Sequence, residues 1–131
     1  MSLYSQSVID QVWEKGLIDE HYPATKIRKD ACGACIIKDH YGNRDSAFGW
    51  EIDHIYPQML LKEKQVPQDL IDHIDNLRPL NWQNNSSKGN DFPVYHASVQ
   101  SEDNRNIKKD EEREVNKSVR DRLSLLYSNY L

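Results

Sequence analysis

Apolar and polar side chains alternate along Trp50-Glu51-Ile52, and that period of two predicts a strand over residues 48–55 with Asp53 and His54 near its end. A second strand is expected over 76–80. A short helix follows, beginning near Asn81 and stopped by Gly89. Upstream, Ser5 or Ser7 can cap a first helix that carries Val8, Val12 and Trp13 on one face and ends at Gly16. Residues 35–40, with Ile36 and Ile37, read as a strand that turns at Tyr41-Gly42-Asn43 and pairs antiparallel with 48–55.

The connection between His54 and Asn76 holds Leu60, Leu61, Leu70 and Ile71 in one or two short helical pieces that pack, with Pro67 suited to a first turn. After a turn at Asp91-Phe92-Pro93, residues 94–99 predict an edge strand. Residues 101–109 are polar without an apolar period and read as a mobile connection. From Asp110 the charges fall at helical spacing, and Val115, Val119, Leu123, Leu126 or Tyr127, and Tyr130 form one stripe. The stripe fits a core-docking helix better than the seam of a homodimer.

A chain of 131 residues is enough for one domain with one modest core. No apolar run approaches the ~20 residues of a membrane span, and the N-terminus lacks the basic and apolar regions of a signal peptide. A cytoplasmic protein without a membrane partner is therefore expected. The net charge of −4 is awkward for a nucleic-acid enzyme, because phosphate binding relies on Lys and Arg. The cations are nevertheless concentrated: residues 26–50 hold five against three acids, at Lys26, Arg28, Lys29, Lys38 and Arg44. Lys26-Ile27-Arg28-Lys29 reads equally well as a phosphate-contacting arm or a solvated loop edge.

The chemistry-bearing residues are Asp53-His54, then Asn76-Leu77 about twenty positions on, Asn85 nine further, and Lys88 three beyond that. In type, order and spacing these resemble the HNH nuclease motif. The resemblance covers 49–90 and implies an α+β chain built on the ββα-metal (His-Me finger) fold with flanking N- and C-terminal helices. It implies one nuclease domain over 1–131, with a core motif at about 32–92 and a partly mobile linker plus helix at 100–131. The activity implied is metal-dependent hydrolysis of DNA phosphodiester bonds, with RNA left open as a substrate. His54 would be the general base, since a neutral imidazole titrates near neutral pH. Asp53 and Asn85 would be the metal ligands, and Asn76 would hold the His54 region. Lys88 would meet a phosphate or the product oxygen, unless it is only a solvated helix end. Lys26, Arg28, Lys29, Arg78 and Lys88 are the nucleic-acid contacts expected.

Two oxygen ligands suit Mg²⁺ or Mn²⁺. Colicin-like members add a helix histidine at the position of Gly89, a departure that favours the magnesium type. Cys32 and Cys35 could open a zinc site, but the family's zinc-ribbon members place a second cysteine pair where Asn81 and Asn84 stand here, so no structural zinc is expected. Asp72-His73-Ile74 repeats the letters of Asp53-His54-Ile55, yet His73 is too close to Asn76 to close the same site and reads as a loop histidine. Trp50 and Trp82 read as core rather than base-stacking platforms. The rival to a nuclease is an inactive module of the same fold that binds nucleic acid or protein.

Overall fold

The computed structural model describes residues 4–131. Its centre is an antiparallel pair, β4 (Trp50–His54) and β5 (Leu77–Asn81), in register from Trp50 opposite Asn81 to His54 opposite Leu77. The pleat sends Trp50, Ile52 and His54 to one face and Glu51 and Asp53 to the other. Asn81 ends β5 and begins α4 (Trp82–Lys88) without a loop, its side-chain oxygen accepting from Gln83 N at 2.9 Å. Gly89 stops the helix at φ +53°. Helix α4 lies over the Glu51/Asp53 face, where Asn85 meets Glu51 and Lys88 meets Asp53.

The opposite face carries α1 (Gln6–Trp13), capped by Ser5, whose hydroxyl accepts from Val8 N. Ile9, Val12 and Trp13 recur at helical spacing and pack with Ile36, Trp50 and Leu77. Gly49 enters β4 in a place that only glycine fits, since a Cβ there would lie 1.8 Å from the Asn43 carbonyl oxygen.

A separate sheet, ordered β1-β2-β3, is formed by β1 (Leu17–Ile18), β2 (Ile27–Lys29) and β3 (Cys35–Ile37). The partner expected for residues 35–40 is thus corrected: β3 pairs with β2, and Lys38–His40 is a 3-10 turn. That turn takes the chain away before a ladder with β4 can form, leaving the Ile37 N to Phe48 O bond and an isolated Tyr41–Trp50 bridge. The basic stretch at 26–29 is largely this strand β2 rather than a loop.

Two short helices, α2 (Gln58–Glu63) and α3 (Gln68–Ile71), fill the connection from β4 to β5 and bury Leu61, Val66 and Ile71. Pro67 sits at the cap of α3. Residues 101–109 are not a loose connection. They lie largely in a long hairpin of β6 (Val94–Glu102) and β7 (Arg105–Glu114), closed by Asp103 and Asn104 at φ +50° and +67°. Two left-handed residues are what a two-residue primed hairpin turn requires, and Asp and Asn tolerate that conformation. Residues 110–114 are therefore strand, and α5 is shorter than expected (Lys117–Leu126), capped by Asn116. Val115, Leu123 and Tyr127 of the apolar stripe enter the core with Tyr95 and Ala97 of β6. Among the described residues no helix is long and apolar enough to cross a membrane.

Asp30 ties three of these parts together. Its side chain is fully buried. Oδ1 accepts from Cys32 N and Ala34 N, both at 2.9 Å, which shapes the β2–β3 turn. Oδ2 accepts from Asn81 N at 2.9 Å and Asn84 Nδ2 at 3.1 Å, at the junction of β5 and α4. Asn84 in turn accepts from Ser98 N and Val99 N of β6. Replacing Asp30 with Ala orphans these buried donors at once, and Asp30→Ala is expected to lose at least about 3 kcal/mol in urea unfolding. Wild-type stability in that variant would refute the role.

Candidate functional site

Where β4 ends opposite the C-terminal turn of α4, Asp53, His54 and Asn85 line one cleft of about 170 Å³, together with Ile52, Pro57, Gln58, Gly89 and Asn90. Asp53 and His54 are there because they close β4, and Asn85 because α4 starts directly from the neighbouring strand. A larger cavity of about 330 Å³ lies by Lys15, Leu77 and Val119. It holds none of those three residues, and its Lys15 ammonium is already bonded to the carbonyls of Ile74 and Leu77.

Asn76 is buried and clasps the chain just beyond His54. Its amide donates to Tyr56 O at 3.2 Å and Ile71 O at 3.1 Å, and its Oδ1 accepts from Tyr56 N at 2.7 Å. One side chain thereby joins the exit of β4 to the end of α3. That places Asp72 against His54, with Oδ1 2.7 Å from Nε2. The Tyr4 hydroxyl lies 3.2 Å from the same nitrogen and 3.3 Å from Asp72 Oδ1. Burial alone would raise the Asp72 carboxyl, but hydrogen bonds from His54 and Gln68 hold it below the ordinary range. Burial, reinforced by the Asp72 charge, pushes the Tyr4 phenol up, so it remains a donor.

Asp53 is almost fully buried, and both its oxygens are paired. Arg78 Nε is 2.9 Å from Oδ2, and Lys88 Nζ is 3.3 Å from Oδ1. Lys88 also donates to His54 O at 3.2 Å. It is neither solvated nor extended toward a ligand: burial holds its ammonium below the ordinary range, against the pull of Asp53. Arg78, expected as a nucleic-acid contact, is packed between Asp53 and the Tyr95 ring. Arg28 is likewise buried and donates to Ala24 O, Glu14 O and Gly16 O and to the Glu14 carboxylate. Of the cations expected to meet phosphate, Lys26 is exposed and Lys29 partly so.

The oxygen donors fit a hard cation in kind. Asp53 offers a carboxylate, and the Asn85 amide donates its N–H to Glu51 at 2.9 Å, leaving its carbonyl oxygen as the atom that could meet a cation. A dication bound here would have to share Asp53 with Lys88 and Arg78. Among the described residues no three His, Cys, Asp or Glu side chains are grouped to hold a metal. Cys32 and Cys35 are buried free thiols. Burial, and then the nearby Asp30 charge, push the Cys32 thiol up to about 11, a poor state for a metal ligand.

Three residues at the site were not singled out by the sequence. Glu51 shares the Asp53 face through the strand period, takes a bidentate pair from Arg44 at 2.8 and 2.9 Å and accepts from Asn85. Asp72 belongs to the Asp72-His73-Ile74 repeat, read from the sequence only as a loop, and Tyr4 comes from a distant segment with no local signal. No family model matches the chain, and neither a curated protein nor a solved structure matches it.

Two measurements test this electrostatic arrangement. Asp53→Ala leaves Arg78 and Lys88 buried without their shared anion, and a stability loss of about 3–5 kcal/mol is expected in chemical unfolding. Burial raises the Glu51 carboxyl, but Arg44 and Asn85 outweigh it and hold it below the ordinary range. Such a group adds stability above its unfolded pKa and loses it as pH falls through the folded value. Glu51→Gln should therefore melt below wild type at neutral pH, and the gap should close as acid is added below about pH 5. A gap that does not change with pH would contradict this.

Proposed function

We propose that the chain is a metal-dependent endonuclease of the HNH type that hydrolyses phosphodiester bonds in DNA. The observation that carries the reading is the meeting of Asp53, His54 and Asn85 around one cleft, on two antiparallel strands followed by a helix. Phosphodiester hydrolysis needs a group to take the proton of the attacking water, and His54 is the titratable side chain of that kind in the cleft. Asn76 keeps the His54 backbone from drifting by clasping Tyr56. Asp53 and Asn85 are the residues that would hold Mg²⁺ or Mn²⁺. Such an ion supplies Lewis-acid stabilisation of the phosphoryl and leaving oxygens when bound. Lys88 tethers Asp53 to the backbone of His54 and so keeps ligand and base in one geometry.

With a net charge of −4 and Arg28, Arg78 and Lys88 turned inward, binding to DNA should be weak and salt-sensitive. One such cleft cuts one strand at a time. A second reading, an inactive module of the same fold that binds nucleic acid, is favoured by one feature: both Asp53 oxygens are already paired with cations.

Supercoiled plasmid with Mg²⁺ or Mn²⁺ separates the two readings. The endonuclease predicts nicked circles that disappear with EDTA and fall at least roughly 10²-fold in His54→Ala. Equal inertness of wild type and variant across metals, with DNA still retained at low salt, would leave the binding module.

A further inference from the structure

We infer that Asp72 is a positioning residue for His54, accepting its Nε2–H and thereby holding the imidazole in the tautomer whose Nδ1 carries the free lone pair. The inference deepens the nuclease reading, in which His54 takes the proton of water. Asp72 is not one of the residues that suggested that reading (Asp53, His54, Asn76, Asn85 and Lys88), and it stands eighteen residues beyond His54.

The geometry is specific. A carboxylate can only accept, so a nitrogen 2.7 Å from Asp72 Oδ1 must carry the proton. Were the proton on Nδ1 instead, the Nε2 lone pair would face a carboxylate oxygen at that distance. The Tyr4 hydroxyl, at 3.2 Å from Nε2 and 3.3 Å from Asp72 Oδ1, is the more distant partner and donates to the carboxylate. Asp72 itself is held. Gln68 Nε2 donates to Oδ2 at 2.9 Å, Asp72 N bonds to Gln68 O at 2.9 Å, and Asn76 pins Ile71 O. A neutral imidazole with Nε2 protonated has one basic nitrogen left, Nδ1, and only that nitrogen can receive a proton from water. The proton passes from the attacking water to Nδ1 as the water oxygen bonds to phosphorus. The bond from phosphorus to the leaving 3′ oxygen breaks, that oxygen takes a proton from solvent, and Asp72 stays ionised throughout.

The tautomer is measurable without any catalysis. Long-range proton–nitrogen correlation spectra of the metal-free protein, at a pH where the ring is neutral, should show His54 protonated at Nε2. Asp72→Asn offers an amide N–H2 in place of the carboxylate and should shift the ring toward Nδ1–H, whereas Tyr4→Phe should leave it at Nε2–H. In plasmid nicking, Asp72→Asn should lower kcat by roughly 10²-fold or more, with KM within about threefold of wild type. Wild-type His54 protonated at Nδ1, an Asp72→Asn spectrum identical to wild type, or an unchanged kcat in that variant would each overturn the inference. Should wild type not cut DNA at all, the nuclease reading fails while the spectra still decide what Asp72 does to His54.

Discussion

A single buried carboxylate, that of Asp30, is the constraint on which the rest depends. It is excluded from water and must be satisfied internally, and four N–H groups from three segments do so. Two belong to the β2–β3 turn, one to the end of β5 and one to α4. Asn84 then extends the network to the β6 backbone. The relative placement of the first sheet, the central strand pair and the long hairpin thus runs through one side chain. Cys32 and Cys35, which resemble half of a zinc knuckle, flank a turn already closed by Asp30. Asn81 and Asn84 bind that carboxylate where a second cysteine pair would be required.

The same economy governs the cleft. Asp53 sits between Arg78 and Lys88 and is the anion that both of these largely buried cations share. The arrangement fixes the carboxylate in place, as a ligand oxygen would need to be, yet it also surrounds that carboxylate with positive charge. The two properties pull the functional reading in opposite directions. Hard cations bind through charge and oxygen donors together, so a cation held at Asp53 would have to compete with Lys88 and Arg78. Asn76 contributes differently: by bonding both polar groups of the Tyr56 backbone, it converts a strand exit into a rigid support for His54.

Local chemistry made the ordered elements legible. A Ser5 or Ser7 cap with Val8, Val12 and Trp13 on one face marked α1, where the structure uses Ser5 and buries Ile9 with Val12 and Trp13; the alternation at Trp50-Glu51-Ile52 produces β4, and Asn81 with Gly89 bounds α4. Misreadings came where a local signal was weak or was outweighed. Residues 101–109 lack apolar periodicity because β7 is a mostly exposed, charged strand, and the turn at Asp103-Asn104 was not read from the sequence. Residues 35–37 form a strand as expected, but their partner was decided by the turn that Asp30 closes. The cations at 28, 78 and 88 look solvent-bound in a row of residues, yet Arg78 and Lys88 are drawn inward by the distant Asp53, and Arg28 by acceptors on the preceding Glu14, Gly16 and Ala24.

Sequence by itself determined the identity, order and spacing of Asp53, His54, Asn76 and Asn85, and the strand and helix propensities that carry them. These follow from periodicity and capping, which act over a few residues. Only the tertiary structure decided that Asp72 stands against His54, that Lys88 and Arg78 neutralise Asp53, and that Asp30 bridges three segments. Apart from the local bonds of Asp30 to its own turn, each is a pairing of charged or polar groups across eighteen or more residues. Such pairs form because burial makes an unpartnered polar group costly, and which partner is within reach depends on how the chain as a whole has packed.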